Sequence, residues 1–342
     1  MSQMFTHITL IGFFTALAVT GFMIALKISD HPNARSSHAV VTPTGGGMGI
    51  VIGAVAVMAA LTLFYPRFDI APEVKALFGL GIFLAGLGLL DDVFGVPTRI
   101  KFIFIGLLSI AVPLITGLPL ALPLGDTVWP FPDALAHFGA ALWVFVVINV
   151  VNFMDGSNGL MGLTALVISA ALVMIGLLAG VSTAAIFGLL LFGPLMGFLV
   201  YNLRRKARIF SGDTGSLFVG YMIAVASLSL PAHPHGERLL YVGPILLLPF
   251  LADSLLTMAV RARRGERLMA PHRRHIYQRA ILSGRGHVAV ALIYTGLAVI
   301  CAFGVIFGGI TEMLGSGAYF LGFVSLALTI YAVAHQRLKI RD

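Results

Sequence analysis

The sequence reads as an all-α, polytopic integral membrane protein with about eleven transmembrane helices, and three observations support that reading. Its 342 residues are 58% hydrophobic and only 11% charged, with a mean hydropathy of +0.99, a balance that no soluble domain of this size shows. Apolar runs of the roughly 20 residues needed to cross a bilayer recur along the whole length. Lysine and arginine alternate with those runs: Arg67, Lys75 and Arg238 fall in even-numbered connections, and the other nineteen of twenty-two fall in odd-numbered ones or the C-terminal tail. The positive-inside rule then predicts an N-out, C-in topology. The net charge of +8 is therefore topological and faces membrane lipids, and a nucleic-acid partner is excluded. Cys301 is the single cysteine, so there is no disulfide framework. The first run lacks a small-residue cleavage site and reads as an anchor.

The expected spans are 8–28, 45–64, 76–90, 102–118, 135–152, 159–179, 182–201, 214–231, 239–259, 287–308 and 312–334. After the first comes a loop from His31 to Gly47 whose Gly45, Gly46 and Gly47 meet the start of the second helix. Glycine there leaves helix N-terminal amides open to an anion, or lets helices pack closely. The third span ends in Asp91 and Asp92, with Arg99 and Lys101 just beyond. Adjacent carboxylates repel, so a retained pair is relieved by a cation or by protonation, unless it is a plain surface pair. The outer loop Pro119 to Asp133 carries no chemistry.

Between Asp133 and Arg204 the one formally charged side chain is Asp155, within Asn149-Val-Val-Asn152-Phe-Met-Asp155-Gly-Ser-Asn158-Gly159. A carboxylate in seventy apolar residues is costly without a partner, which marks a functional site; the alternative is a helix cap. Two glycines predict that the helix stops near Asp155. Further on, Phe210-Ser-Gly-Asp213-Thr-Gly-Ser216 sets a carboxylate, hydroxyls and helix N-terminal amides before an apolar helix, a set suited to a metal-bridged phosphate. Asp253, inside span nine, reads as a structural contact between helices. The connection 261–286 is the longest in the chain and long enough for a small loop subdomain beside the single membrane domain. Its Pro271-His272-Arg273-Arg274-His275-Ile-Tyr277-Gln278-Arg279 has the spacing of a basic helical face, for a pyrophosphate or for lipid headgroups.

By the predicted topology, Asp91, Asp92, Asn152, Asp155, Asp213 and the His-Arg loop share one cytoplasmic-side cleft. Carboxylates and a carboxamide that hold Mg²⁺ (Mn²⁺ is the other candidate), with Arg and His against a departing phosphate, match phosphoryl transfer. No zinc spacing, P-loop or nucleophile elbow occurs. A secondary transporter or lipid flippase is the rival, but it predicts paired broken repeats and polar residues at the midplane.

Taken in order, "LLDD" with Lys101, "NFMDGSNGL", "FSGDTGSLFVG" and "PHRRHIYQR" resemble the polyprenyl-phosphate N-acetylaminosugar-1-phosphate transferase family, glycosyltransferase family 4, over nearly the whole chain. The resemblance implies transfer of a sugar 1-phosphate from a UDP-N-acetylamino sugar to undecaprenyl phosphate with release of UMP. It also implies a place in the bacterial inner membrane, an initiating role in O-antigen or other envelope polysaccharide synthesis, and a homodimer as one possible assembly. It assigns Asp213 as principal Mg²⁺ ligand and Asn152 as second. Asp91, Asp92 and Lys101 would handle the lipid phosphate, with Asp155 also in the catalytic group. Phe210 would stack on uracil with Asn158 near the base, and Gly45 and Gly46 would approach the substrate. His272, Arg273 and His275 would hold the sugar diphosphate. Departures from the family pattern are Asn158 for an Asp, Thr44 for an Arg, and Tyr277-Gln278 for paired histidines. The last is similar to the O-antigen-initiating branch and points away from a MurNAc-pentapeptide donor, leaving N-acetylglucosamine and deoxy-sugars such as N-acetylfucosamine or N-acetylquinovosamine open.

Overall fold

A computed structural model describes residues 2–26, 29–30, 42–66, 70–119, 121–267 and 272–338. In chain order its helices are α1 Ser2–Leu26, α2 Gly47–Phe64, α3 Pro72–Phe94, α4 Thr98–Thr116, α5 Asp133–Phe153, α6 Leu160–Leu178, α7 Ser182–Asn202, α8 Gly212–Ala232, α9 Val242–Leu246, α10 Leu248–Arg263, α11 Ile276–Leu282, α12 His287–Ile310 and α13 Gly317–Arg337. Ten of these are long and apolar enough to cross a bilayer, which makes the chain a multi-pass membrane protein.

The ninth expected span is not one rod. The stretches Glu237–Leu246 and Leu248–Arg263 meet at a 70° bend, so the count is eleven only if this broken pair is one span. Pro244 and Pro249 lie on either side of the break. Each lacks an amide hydrogen and disfavours helix before it, so both can start a helix but neither continues one. Two short pairings add strand to a helical chain: β1 Ser29–Asp30 with β2 Thr42–Pro43, and a hairpin of β3 Ala121–Leu124 and β4 Thr127–Pro130. The hairpin lies within the connection 119–133. Most of the expected loop from His31 lies outside the described residues.

Helix α8 is the centre of the bundle, buried over 94% of its most apolar stretch. Lipid tails are as apolar as leucine, so association inside a bilayer depends on close packing and polar contacts. The approach is closest where glycines permit it. A Cβ on Gly88 of α3 would stand 2.5 Å from the Asp213 carbonyl carbon of α8, and one on Gly47 of α2 would stand 2.2 Å from the Gly215 nitrogen. These contacts press the ends of α2 and α3 onto the first turn of α8, where the charged motifs lie. Tyr221, buried deeper in α8, donates its hydroxyl to the Leu77 carbonyl at 2.7 Å and locks the same α3–α8 pair. Helix α13 is the opposite case, with no buried residue.

Candidate active site

Lys101 joins the cluster together. It lies on the first turn of α4, and the short turn after α3 brings it back over Asp91. Its Nζ donates to Asp91 Oδ2 and to Asp213 Oδ2, both at 2.7 Å. The other Asp213 oxygen accepts the Asn152 carboxamide at 3.1 Å, and the same Nδ2 reaches Ser216 Oγ at 2.8 Å. Asn152 therefore orients Asp213 from the last turn of α5. Consecutive side chains on a helix point about 100° apart, and Asp92 accordingly turns to different partners. Asp92 Oδ1 accepts the Asp213 amide at 2.8 Å, and Oδ2 accepts the Thr214 amide at 3.0 Å and the Thr214 hydroxyl at 2.7 Å. A carboxylate from α3 thus caps α8, where the helix dipole favours negative charge.

This corrects two expectations. The first amides of α8 are not open to a phosphate, because Asp92 takes them. Nor are those at Gly46 and Gly47 open: they donate to the Phe210 and Ser211 carbonyls at 2.8 and 2.9 Å, while Phe210 donates its own amide to Pro43. Gly46 and Gly47 therefore let the loop lie against the Phe210–Ser211 segment, and Gly45 turns the chain into them at a φ of +94°. Phe210 itself is half-buried at the edge of this arrangement.

Helix α5 stops at Phe153, as the glycines predicted, and Asp155 sits in the turn before α6. Ser211 donates its hydroxyl to Asp155 Oδ2. Burial pushes the Asp155 carboxyl up to about 8; the Ser211 bond opposes this, and the negative fields of Asp213 and Asp92 add to it. Asp155 is thus neutral at pH 7 in this state. Asn158, expected near the base, is buried, and its Nδ2 donates to the Arg204 carbonyl at 2.9 Å. It pins the basic connection after α7, aided by Asn202, which accepts the Gly159 amide at 2.7 Å and donates to the Ile209 carbonyl at 2.9 Å.

The His-Arg motif is not a helical face. Only Ile276–Leu282 is helical; His272, Arg273 and Arg274 lead into it and His275 is its N-cap, while Pro271 lies outside the described residues. Burial lowers the His272 pKa to about 4, with His275 and Arg261 adding to the effect, so the imidazole is neutral at pH 7. Arg273 and Arg274 are exposed, and Arg274 pairs with Glu266, which also accepts Arg261 Nε at 3.0 Å. His275 is 4% exposed, with Nδ1 3.5 Å from Asp253 Oδ1 and its ring centroid 4.9 Å from that of His272. It packs inside the motif, against Asp253 and His272. The loop docks on the central turn through Tyr277, whose hydroxyl donates to the Phe153 carbonyl at 3.2 Å.

Asp91, Asp92, Asp213 and Lys101 thus share one hydrogen-bonded cluster, with Asp155 beside it on Ser211, an oxygen-rich donor set with excess negative charge. Among the described residues, no three His, Cys, Asp or Glu side chains converge as a ready-made metal cage. Of the two residues expected to hold Mg²⁺, Asp213 brings a carboxylate to this cluster, whereas Asn152 turns its Nδ2 to Asp213 and Ser216.

The family model described as glycosyl transferase family 4 matches residues 74–231. The chain is 30% identical over 300 residues, 83% of this chain and 80% of the relative, to a Bacillus subtilis protein described as a probable undecaprenyl-phosphate N-acetylglucosaminyl 1-phosphate transferase. It is 29% identical over 334 residues, 87% and 81% of the two chains, to the decaprenyl-phosphate N-acetylglucosaminephosphotransferase of Mycobacterium tuberculosis. An undecaprenyl-phosphate alpha-N-acetylglucosaminyl 1-phosphate transferase of Yersinia pestis is 28% identical over 299 residues, 83% and 78%. Since the match runs through the cluster from Asp91 to Asp213 and relatives align over more than 80% of the chain, the chain belongs to glycosyl transferase family 4, the polyprenyl-phosphate sugar-1-phosphate transferases.

Proposed function

We propose that the protein transfers an N-acetylaminosugar 1-phosphate from a UDP-sugar to a polyprenyl phosphate, undecaprenyl phosphate in particular, and releases UMP. The observation that carries this reading is the Lys101-bridged pair Asp91 and Asp213, set at one end of the bundle beside a histidine-arginine loop. An acceptor whose tail lies in the bilayer presents its phosphate at such an end, and a soluble donor reaches the same place. The lysine and arginine distribution supports placing that end in the cytoplasm of a bacterium, at the inner membrane.

Mg²⁺, held by Asp213 and Asp91, would offset the charge of the donor diphosphate. The protein's own residues do the rest. Lys101 neutralises phosphate charge; Asp91 and Asp213 fix its ammonium, and Asn152 fixes Asp213. A phosphomonoester's second pKa is about 6, so the acceptor is largely ionised at pH 7 and needs positioning more than a strong base. An acceptor oxygen forms a bond to the sugar-bearing phosphorus as the bond from that phosphorus to the UMP oxygen breaks. Arg273 meets the charge of the departing UMP, and neutral His272 hydrogen-bonds it. Phe210, half-buried at the edge of the cluster, would stack on the base.

Tyr277 and Gln278, the departure that bears on the sugar, are buried. Gln278 Oε1 accepts the His275 amide at 3.3 Å, and the Tyr277 hydroxyl is bonded to Phe153. They shape the loop and do not read the sugar, so UDP-N-acetylglucosamine, the sugar in the relatives' names, is the first donor to test. The initiating step of O-antigen or another envelope polysaccharide is the role that follows for such a product.

The test is UMP release by purified protein in detergent or lipid, given undecaprenyl phosphate, Mg²⁺ and a panel of UDP-N-acetylamino sugars. UMP is expected from one donor, lost with EDTA, restored by Mg²⁺, and absent in Asp213→Asn. Folded protein that releases no UMP from any donor would overturn the reading.

A further inference from the structure

Two buried ionic side chains take no part in the reaction cluster, yet both end on α11. Asp253 of α10 is 2% exposed. Its Oδ1 accepts the Ile276 amide at 2.7 Å, and its Oδ2 accepts the Tyr277 amide at 3.1 Å and the Tyr294 hydroxyl at 2.6 Å. It therefore caps the N-terminus of α11 from a neighbouring helix, as Asp92 caps α8. Arg279, at the other end of α11, is 8% exposed. Among the described residues the partners of its side chain are all at the end of α13: its Nε donates to the Leu338 carbonyl at 2.9 Å, its Nη2 to the His335 carbonyl at 3.0 Å, and its Nη1 lies 2.8 Å from His335 Nδ1. Those groups form the C-terminal end of α13, where the helix dipole favours a cation.

A seven-residue helix has little stability of its own. Here one opposite charge fixes each end, the first to α10 beyond the broken span and the second to the otherwise unburied α13. His272 and Arg273 lie immediately before this helix, and its Tyr277 fixes it to the end of α5, two residues from Asp155. We propose that Asp253 and Arg279 are positioning residues for the UDP-sugar: they clamp α11 between α10 and α13 and so hold His272 and Arg273 beside the central turn. In this arrangement α13 contributes to donor binding although it touches none of the reacting groups. The inference rests on the reaction proposed above.

The test compares Asp253→Asn and Arg279→Met with wild type, varying donor and acceptor separately. Each variant is expected to raise the donor KM about tenfold, while kcat and the acceptor KM move less than about twofold, the signature of lost donor positioning. Arg279→Lys, which can still donate to the α13 carbonyls, should recover part of the donor affinity. A folded variant with unchanged donor KM, or with kcat lowered at unchanged donor KM, would overturn the clamp. If Asp253→Asn does not fold, Tyr294→Phe removes one bond to the same carboxylate and should shift donor KM in the same direction by a smaller factor; no shift counts against the proposal. UDP-sugar binding measured by calorimetry separates the two ideas. Wild type that binds the donor without turnover refutes the reaction but still tests the clamp, and wild type that neither binds nor turns over refutes both.

Discussion

At the level of single residues the cluster makes Lys101 the least replaceable side chain. Lys101→Met removes the ammonium between Asp91 and Asp213, which should cost about 3 kcal/mol of stability in Mg²⁺-free melting and lower kcat for UMP release by about 10²- to 10³-fold. For the donor, Arg273→Ala should raise KM more than His272→Gln does, because an imidazole with its pKa lowered to about 4 carries no charge at pH 7. The opposite ranking in a donor titration at pH 7.5 would assign the anion contact to His272. Asp155 sets a pH dependence whose sign follows from its raised pKa. Between its ordinary 3.8 and about 8 the unfolded chain has lost a proton that the folded chain keeps, so stability falls as pH rises through that window. Asp155→Asn, isosteric with the neutral acid, should flatten that slope in melting curves recorded from pH 5 to pH 8.

Among elements, the decisive contact is α3 against α8. Gly88 lets the α8 backbone approach to within 2.5 Å of where a Cβ would stand, and without it Asp92 could not reach the first amides of α8. Gly88→Ala should force the helices apart at a cost of about 1–3 kcal/mol and reduce UMP release at least tenfold, although no charged group is changed. Normal activity in that variant would show that the first turn of α8 tolerates displacement. The helix ends also explain what the motifs left undecided. A carboxylate next to an apolar helix start reads as a cap for its own chain segment. The caps of α8 and α11 come instead from Asp92 and Asp253, 121 and 23 residues away, and no local spacing encodes such a partner. The break between α9 and α10 was visible only as two prolines in a run whose average hydropathy is that of a continuous span.

For the whole molecule, the charge bias orders the ends of the helices and the bundle brings one set of ends together. Orientation is testable through the lone cysteine. In a Cys301→Ala background, Asp126→Cys in the outer hairpin should react with an impermeant maleimide in intact cells, whereas Ser283→Cys after α11 should react only once the membrane is opened. The reverse pattern would invert the topology and place the cluster outside. The sequence by itself determined the membrane class, the approximate spans, the motif residues and their common end of the bundle. Apolar length, charge bias and residue type are local properties that survive without coordinates. Only the tertiary structure decided which of those residues share a hydrogen bond. It placed Lys101 between Asp91 and Asp213 and turned Asn152 toward Asp213. It bonded the glycine-loop and first α8 amides to internal partners, and buried Asn158, His275, Tyr277 and Gln278 against partners within the protein. The physical reason is that a buried polar group must find a partner, and in a bundle of apolar helices that partner is set by which helices pack closely enough to meet.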